Sequence, residues 1–357
     1  MTTVTASTVR VDDLHAFCVD ALRRLHVGEA DARTTADVLV TTDTWGIFTH
    51  GIKALRGYAR RLRGGGLRAD ARPAVVADRP AWAVVDGGSA LGMVTSVLAM
   101  RTAIAKARAC GIGFVGVRNS CHFGAAGYYA HLAATEGCIG LAMANDTPSV
   151  TAPGARGAVT GSNPLAYAVP TRTGRSILLD MATSTVAGGK VAAAHALGKM
   201  IPDHWAIDRD GRRTTDPADF LQGGALTPMA GHKGYGLALL IETLSGLLTG
   251  AGFTRQILRW MVDDAALPTG HGAAFLALDV EAFMPLETFF QRVDALVTEI
   301  HNAPRAPDAE RVYVPGEMEW ERRDRALVEG IRFPDDVLAS VRGLAEEFDL
   351  DLTRIGM

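Results

Sequence analysis

Apolar residues recur at helical spacing over three successive stretches: Val11 to Leu25, Glu29 to Thr44, and His50 to Arg63, the last stopped by Gly64-Gly65-Gly66. The pattern predicts a helical N-terminal portion. Further on, short β-rich runs (Trp82 to Asp86, Gly113 to Val117, Ile139 to Ala144, Ser176 to Asp180) alternate with helical ones (Leu91 to Cys110, Ala125 to Glu136, Val186 to Leu197), and alternation of this kind predicts an α/β body. Residues Pro202 to Ala230 are rich in Asp, Gly and Pro and read as a long surface loop. A long apolar helix from Gly234 to Gly250, a strand from Ala273 to Leu278, a helix from Leu286 to His301 and a mixed tail from Val312 to Met357 complete the chain. We divide it into a helical portion (1–72) packing with the C-terminal helices, an α/β body (73–310), and a tail (311–357) returning to the helical portion.

Composition narrows the classes of function. With 357 residues, 48% hydrophobic and 21% charged, the chain buries a sizeable core. A formal charge of -3 with both signs interspersed gives no footprint for nucleic acid. The four cysteines form no CxxC pair, and the start MTTVTASTVR lacks the apolar core of a signal peptide, which points to the cytoplasm. The Gly234 to Phe253 stretch carries Glu242 among Thr, Ser and Gly, so it reads as a buried helix and no membrane is expected. The ten His are scattered with no HExxH or paired Cys/His spacing, so no metal is expected.

Residues Gly111 to Gly116 spell GIGFVG, a literal G-x-G-x-x-G. In a dinucleotide fold that motif follows a strand and opens a helix; here it follows a helix and runs into a strand, so its glycines read as a helix stop and strand spacers. The segment after that strand is Asn119-Ser120-Cys121-His122-Phe123-Gly124-Ala125-Ala126-Gly127-Tyr128-Tyr129. Ligands sit at strand ends in α/β folds, small residues admit a flat ring, and a His there can exchange a proton at neutral pH. His122 is a candidate acid/base, with a hydrogen-bonded structural His as the alternative. His50 and Lys53 share one face of a helix opened by Thr49, which suits an anionic substrate or simply a capped, solvated helix start. Asp180-Met181-Ala182-Thr183-Ser184 lies where a strand hands over to a helix; Asp180 could orient a catalytic His, accept from a ribose hydroxyl, or cap. Gly231-His232-Lys233-Gly234 pairs a helix start with a cation, as phosphate binding requires, though a solvated Lys fits too.

Taken together, THG (Thr49 to Gly51), HFGAAGYY (His122 to Tyr129), GSNPLAYAVP (Gly161 to Pro170), DMATS (Asp180 to Ser184), IPDHWAIDRDG…TTDP (Ile201 to Pro217), GHKGYGLAL (Gly231 to Leu239) and VYVPGE…R (Val312 to Arg322) resemble the malate/L-lactate dehydrogenase family, distinct from the Rossmann-type enzymes, and its ureidoglycolate dehydrogenase branch in particular. The resemblance implies a non-Rossmann α/β fold with a large mixed sheet binding NAD, or alternatively NADP, usually in a homodimer. It implies hydride transfer between nicotinamide and C2 of a small 2-hydroxy or 2-oxo carboxylate, with reduction of cyclic imino acids as the alternative within the family. A member that binds nucleotide or a partner without turnover is the reading from another class.

By the same resemblance, His122 transfers the proton, His50 helps polarise the substrate oxygen and Asp180 sets the electrostatics. Gly124, Asp146, Thr147, Ser162, Asn163, Asp180, Met181, Ala182, Thr183, His232 and Lys233, with His122, are the expected cofactor contacts. The family's substrate-gripping Arg, four residues after the THG or SHG histidine, is replaced here by Ala54. We therefore expect Lys53 and Arg56, beside Thr49, to hold the carboxylate.

Overall fold

The computed structural model describes residues 8–357; the first seven residues, on which most of the leader reading rests, lie outside that range. Helices α1 (Val11–Arg24) and α2 (Glu29–Thr44) follow the expected pattern, but the third stretch begins later than its polar pattern suggested. Thr49 to Gly51 form a turn, Ile52–Ala54 a single 3₁₀ turn, and α3 runs only over Leu55–Gly64, closed by Gly65 in the left-handed conformation.

Strands β1 (Ala74–Arg79) and β2 (Trp82–Asp86) form an antiparallel hairpin at one sheet edge. β1 was not legible because five of its six residues are exposed, so it shows no alternation. Next come α4 (Gly92–Cys110), β3 (Ile112–Ser120), α5 (Ala126–Thr135), β4 (Cys138–Ala144), β5 (Leu165–Val169) and β6 (Ile177–Met181). In the GIGFVG segment, Gly111 (φ 83°) closes α4, and a Cβ on Gly113 would stand 2.0 Å from the Ala103 carbonyl. These glycines serve helix termination and close helix–sheet packing.

Helix α6 (Gly188–Ala196) follows the expected helical run, but the region after it, expected as an open loop, has structure of its own: a small sheet of β7 (Ala206–Ile207), β8 (Arg213–Thr214) and β9 (Ala225–Leu226), and α7 (Pro217–Leu221), capped by Asp216. It closes over its own apolar cluster of Val150, Val186, Val191, Ile201, Ala206 and Leu226. The long apolar helix is α8 (His232–Glu242), passing into a π turn at Thr243–Leu247. Then follow β10 (His271–Asp279), α9 (Leu286–His301), α10 (Glu317–Glu329) and α11 (Asp335–Phe348).

The main sheet has seven strands in the order β1-β2-β3-β10-β4-β5-β6. Only β2 and β3 run parallel; β10, last in sequence, is inserted antiparallel between β3 and β4. A Rossmann sheet is parallel throughout its nucleotide-binding half, so this is a different mixed fold. Alternation along the strands separates two faces: Val115, Val117, Ala142 and Phe275 join the main core, whereas Phe114, Met143 and Ala274 pack with Ile241 and Leu237 of α8. That main core runs from Val9 to Ile355, because α10 packs on α2, α11 on α3, and Val9 pairs with Ile331.

Candidate active site

Inserting β10 between β3 and β4 brings distant parts of the chain to one end of the sheet. His271 pairs with Ser120 and Ala273 with Ala144, while Met181 pairs with Leu165. The segments at 120–126, 144–146, 162–164 and 180–184 therefore converge with the start of β10, and the Thr49–His50 turn joins them. Together they line a cavity of about 360 Å³.

Thr49, His50, His122, Gly124, Asp146, Ser162, Asp180, Met181 and Ala182 all line it. The ring centroids of His50 and His122 are 5.3 Å apart. Burial, reinforced by His50, holds His122 well below the usual imidazole range; burial likewise lowers His50, against the pull of Asp146. Both rings are therefore neutral near pH 7. Nδ1 of His122 lies 2.6 Å from the Tyr58 hydroxyl, which leaves Nε2 as the free ring nitrogen. The Gly124 N–H also points at Nδ1, at a longer 3.4 Å. His50 uses its own Nδ1 on the Thr49 hydroxyl at 2.8 Å.

Two carboxylates have opposite environments. Burial pushes Asp146 up, but the His271 hydrogen bond at 3.3 Å, nearby imidazoles and the Thr147 N–H at 2.7 Å outweigh it, and the group is held below its ordinary range. Among the described residues Asp180 accepts only the Gly127 N–H, at 2.7 Å, from the first turn of α5; burial dominates and lifts it to about 6. Behind the His50 turn, Asp43 is fully buried, raised well above the carboxylate range by burial, and accepts the Ile52 N–H at 2.8 Å.

Several expected residues are not brought into the cavity. Lys53 is tied to Asp336 at 2.5 Å and Arg56 to Glu347 at 3.2 Å, both on α11, because the 3₁₀ turn and one face of α3 pack against it. The expectation that they grip the substrate is corrected on this geometry. Asn163 is fully buried and serves as a strut: its side chain accepts from Asp146 N at 3.1 Å and donates to the Ala238 carbonyl at 3.0 Å and Glu242 at 2.7 Å. Thr183 is also fully buried, bonded to the Ser162 carbonyl. Thr147 and Lys233 do not line the cavity, and Lys233 is exposed. His232 lines a second groove of about 740 Å³ with Arg156, His204 and Arg213. The two cavities meet at Ser184 and Thr185, adjacent residues lining one each.

Tyr58 and His271 were missed. His271 stands two residues before the strand start that periodicity marked, and a Gly-His-Gly lead into a strand was its only signal. Nothing in the local pattern marked Tyr58.

The sequence model of the malate/L-lactate dehydrogenase family matches residues 9–342. The chain belongs to that family. This member is 38% identical over 341 residues to a malate dehydrogenase of Pyrococcus abyssi, covering 94% of this chain and 93% of that one. It is 35% identical over 321 residues to an NAD(+) ureidoglycolate dehydrogenase of Escherichia coli K12, covering 90% and 89%. A crystal structure of malate dehydrogenase from Entamoeba histolytica superposes with a TM-score of 0.91 at 31% identity, covering 97% of this chain and 99% of that one. This family member is thus an oxidoreductase acting on the CH–OH of a 2-hydroxy acid with a nicotinamide cofactor. The two curated likenesses are comparable and do not choose between substrates. Among the described residues no helix is long and apolar enough to cross a membrane, and no group of three or more His, Cys, Asp or Glu could hold a metal ion.

Proposed function

We propose that this protein moves a hydride between NAD, with NADP as the alternative, and C2 of a small 2-hydroxy or 2-oxo carboxylate, His122 handling the proton. The Tyr58–His122 hydrogen bond carries the reading, because it commits Nδ1 and leaves Nε2 for substrate. In the oxidising direction neutral His122 keeps its proton on Nδ1, donated to Tyr58, and Nε2 accepts the substrate hydroxyl proton as hydride leaves C2. In the reducing direction the imidazolium returns that proton. His50, also neutral, can donate from Nε2 to the same oxygen and polarise it.

The cavity fits a nicotinamide ring: Gly124, Ala125, Ala126, Ala182, Ala187, Gly188 and Gly189 line it with small side chains that permit flat contact. Asp146, Ser162, Asp180, Met181 and Ala182 would hold that end, while Arg156, Arg213 and His232 in the adjoining groove, with exposed Lys233 nearby in sequence, would face the phosphates and nucleoside. The bound cofactor supplies the hydride donor or acceptor. With Lys53 and Arg56 paired elsewhere, the carboxylate falls to the Thr49 hydroxyl and the His50 side of the cavity. A homodimer is part of this reading, supported by exposed Leu239, Leu240, Leu247 and Leu248 along α8 and its π turn, and sedimentation would test it. A cytoplasmic location is supported by four unpaired cysteines.

The test is loss of reduced-nicotinamide absorbance with a panel of 2-oxo acids and cyclic imino acids. His122→Ala is expected to lower turnover about 10²- to 10⁴-fold with cofactor affinity retained. Lost cofactor binding with intact chemistry refutes the role, and turnover confined to imines transfers the activity to nitrogen substrates.

A further inference from the structure

Outside the cavity lining, Arg61 builds the densest polar arrangement near the site. Its side chain is 1% exposed and has no carboxylate within ion-pair distance among the described residues. All five of its N–H groups donate to carbonyls of one loop: Nε to Trp260 at 2.5 Å, Nη1 to Leu267 at 2.8 Å and Asp264 at 3.3 Å, Nη2 to Asp263 at 3.2 Å and Arg259 at 3.3 Å. A buried guanidinium is tolerated only when its donors are satisfied, so residues 259–267 are wrapped around a fixed fork.

The wrapping determines where the Trp260 indole lies. It stacks on His122 at 4.4 Å and 12° and on Tyr58 at 4.8 Å and 16°. Tyr58 and His122 sit side by side, their centroids 6.0 Å apart and joined through the hydroxyl–Nδ1 bond, so one indole roofs both rings. Gly57 makes room: a Cβ there would stand 2.5 Å from the indole. Gly57, Tyr58 and Arg61 are neighbours on α3, and none lines the cavity.

We propose that Arg61 and Trp260 are positioning residues for the reaction: Arg61 fixes the 259–267 loop so that the indole holds the plane of the Tyr58–His122 pair, excludes water from it, and keeps Nε2 aimed at the substrate. The proposal rests on His122 being the proton-transfer group. Besides Tyr58 and the indole, the groups facing His122 are His50, Asp146 and His271, with Cys121 beside it. Burial is the largest influence holding His122 down, so opening the roof moves its titration upward toward the ordinary imidazole value.

The test measures kcat, KM for the reduced cofactor, the solvent isotope effect and the pH–rate profile for Trp260→Ala, Trp260→Phe and Arg61→Met, each alone and in a His122→Ala background. Trp260→Ala is expected to lower kcat about tenfold, leave KM for the cofactor within about twofold, raise the solvent isotope effect and shift the His122 limb upward. Trp260→Phe, which keeps a flat ring, restores most of the rate, and Trp260→Ala in the His122→Ala background has little further effect. Arg61→Met reproduces the Trp260→Ala profile; if it fails to fold, the two Trp260 variants decide. Equal losses with and without His122, or a loss confined to cofactor KM, overturn the proposal. If His122→Ala alone leaves turnover unchanged, the proton-transfer reading falls and this proposal with it; a large His122→Ala effect beside an inert Trp260→Ala defeats the positioning role alone.

Discussion

Helix α3 carries cations on two faces, and they do opposite things. On one face, with the preceding 3₁₀ turn, Lys53, Arg56, Arg60 and Arg63 meet Asp336 and Glu347 of α11 in half-exposed ion pairs, three of the arginines converging on Glu347 alone. The other face turns Tyr58 and Arg61 inward, fully buried, toward His122 and the 259–267 loop. Charge visible in a sequence is mostly solvated charge, and the side chains that organise this site are an aromatic and an arginine hidden among carbonyls.

The contrast breaks most readily at the buried face. Arg61→Met strips five carbonyls of their donor, and about 3 kcal/mol of stability should go with it, measured by denaturant unfolding. A loss under about 1 kcal/mol would mean that water replaces the fork without cost. Tyr58→Phe removes the hydroxyl from Nδ1, and kcat should fall about tenfold at little cost in folding, since the ring still stacks under Trp260. An unchanged pH–rate profile would show that another group fixes the imidazole.

On the exposed face, effects shrink. For Glu347, burial raises the pKa, but the Arg60 and Arg56 hydrogen bonds and the nearby arginine charges outweigh it and hold the carboxyl below its ordinary 4.5. A carboxylate depressed on folding adds stability above the free-glutamate range and loses it as pH falls through the folded value. Glu347→Gln should therefore cost up to about 1 kcal/mol at neutral pH and flatten the decline in stability below pH 4.5. Lys53→Ala should change stability by less than about 0.5 kcal/mol and substrate KM by less than about threefold. A tenfold rise in KM would show that the Asp336 pair opens to let Lys53 reach the carboxylate.

Motif segments carried most of the cavity lining. His122, Gly124, Asp180, Met181 and Ala182 were legible because each sits within a few residues of a strand end that periodicity could locate, and small residues flanking a polar one survive as a pattern. Asn163 and Thr183 share those motifs yet lie behind the cavity wall, where they brace it. Motif membership does not distinguish a residue facing the ligand from one supporting it.

The sequence by itself determined the three-helix start, the alternating body, the failure of GIGFVG as a dinucleotide loop, and the likeness that assigns the family, since all of these depend on local spacing or ordered short segments. Tertiary structure decided the insertion of β10 between β3 and β4, which sets His271 beside Asp146, and the wrapping of residues 259–267 around Arg61, which lays Trp260 on His122. Those contacts join residues more than a hundred positions apart, and the partners of Arg61 are main-chain carbonyls, which every sequence has and no local pattern marks.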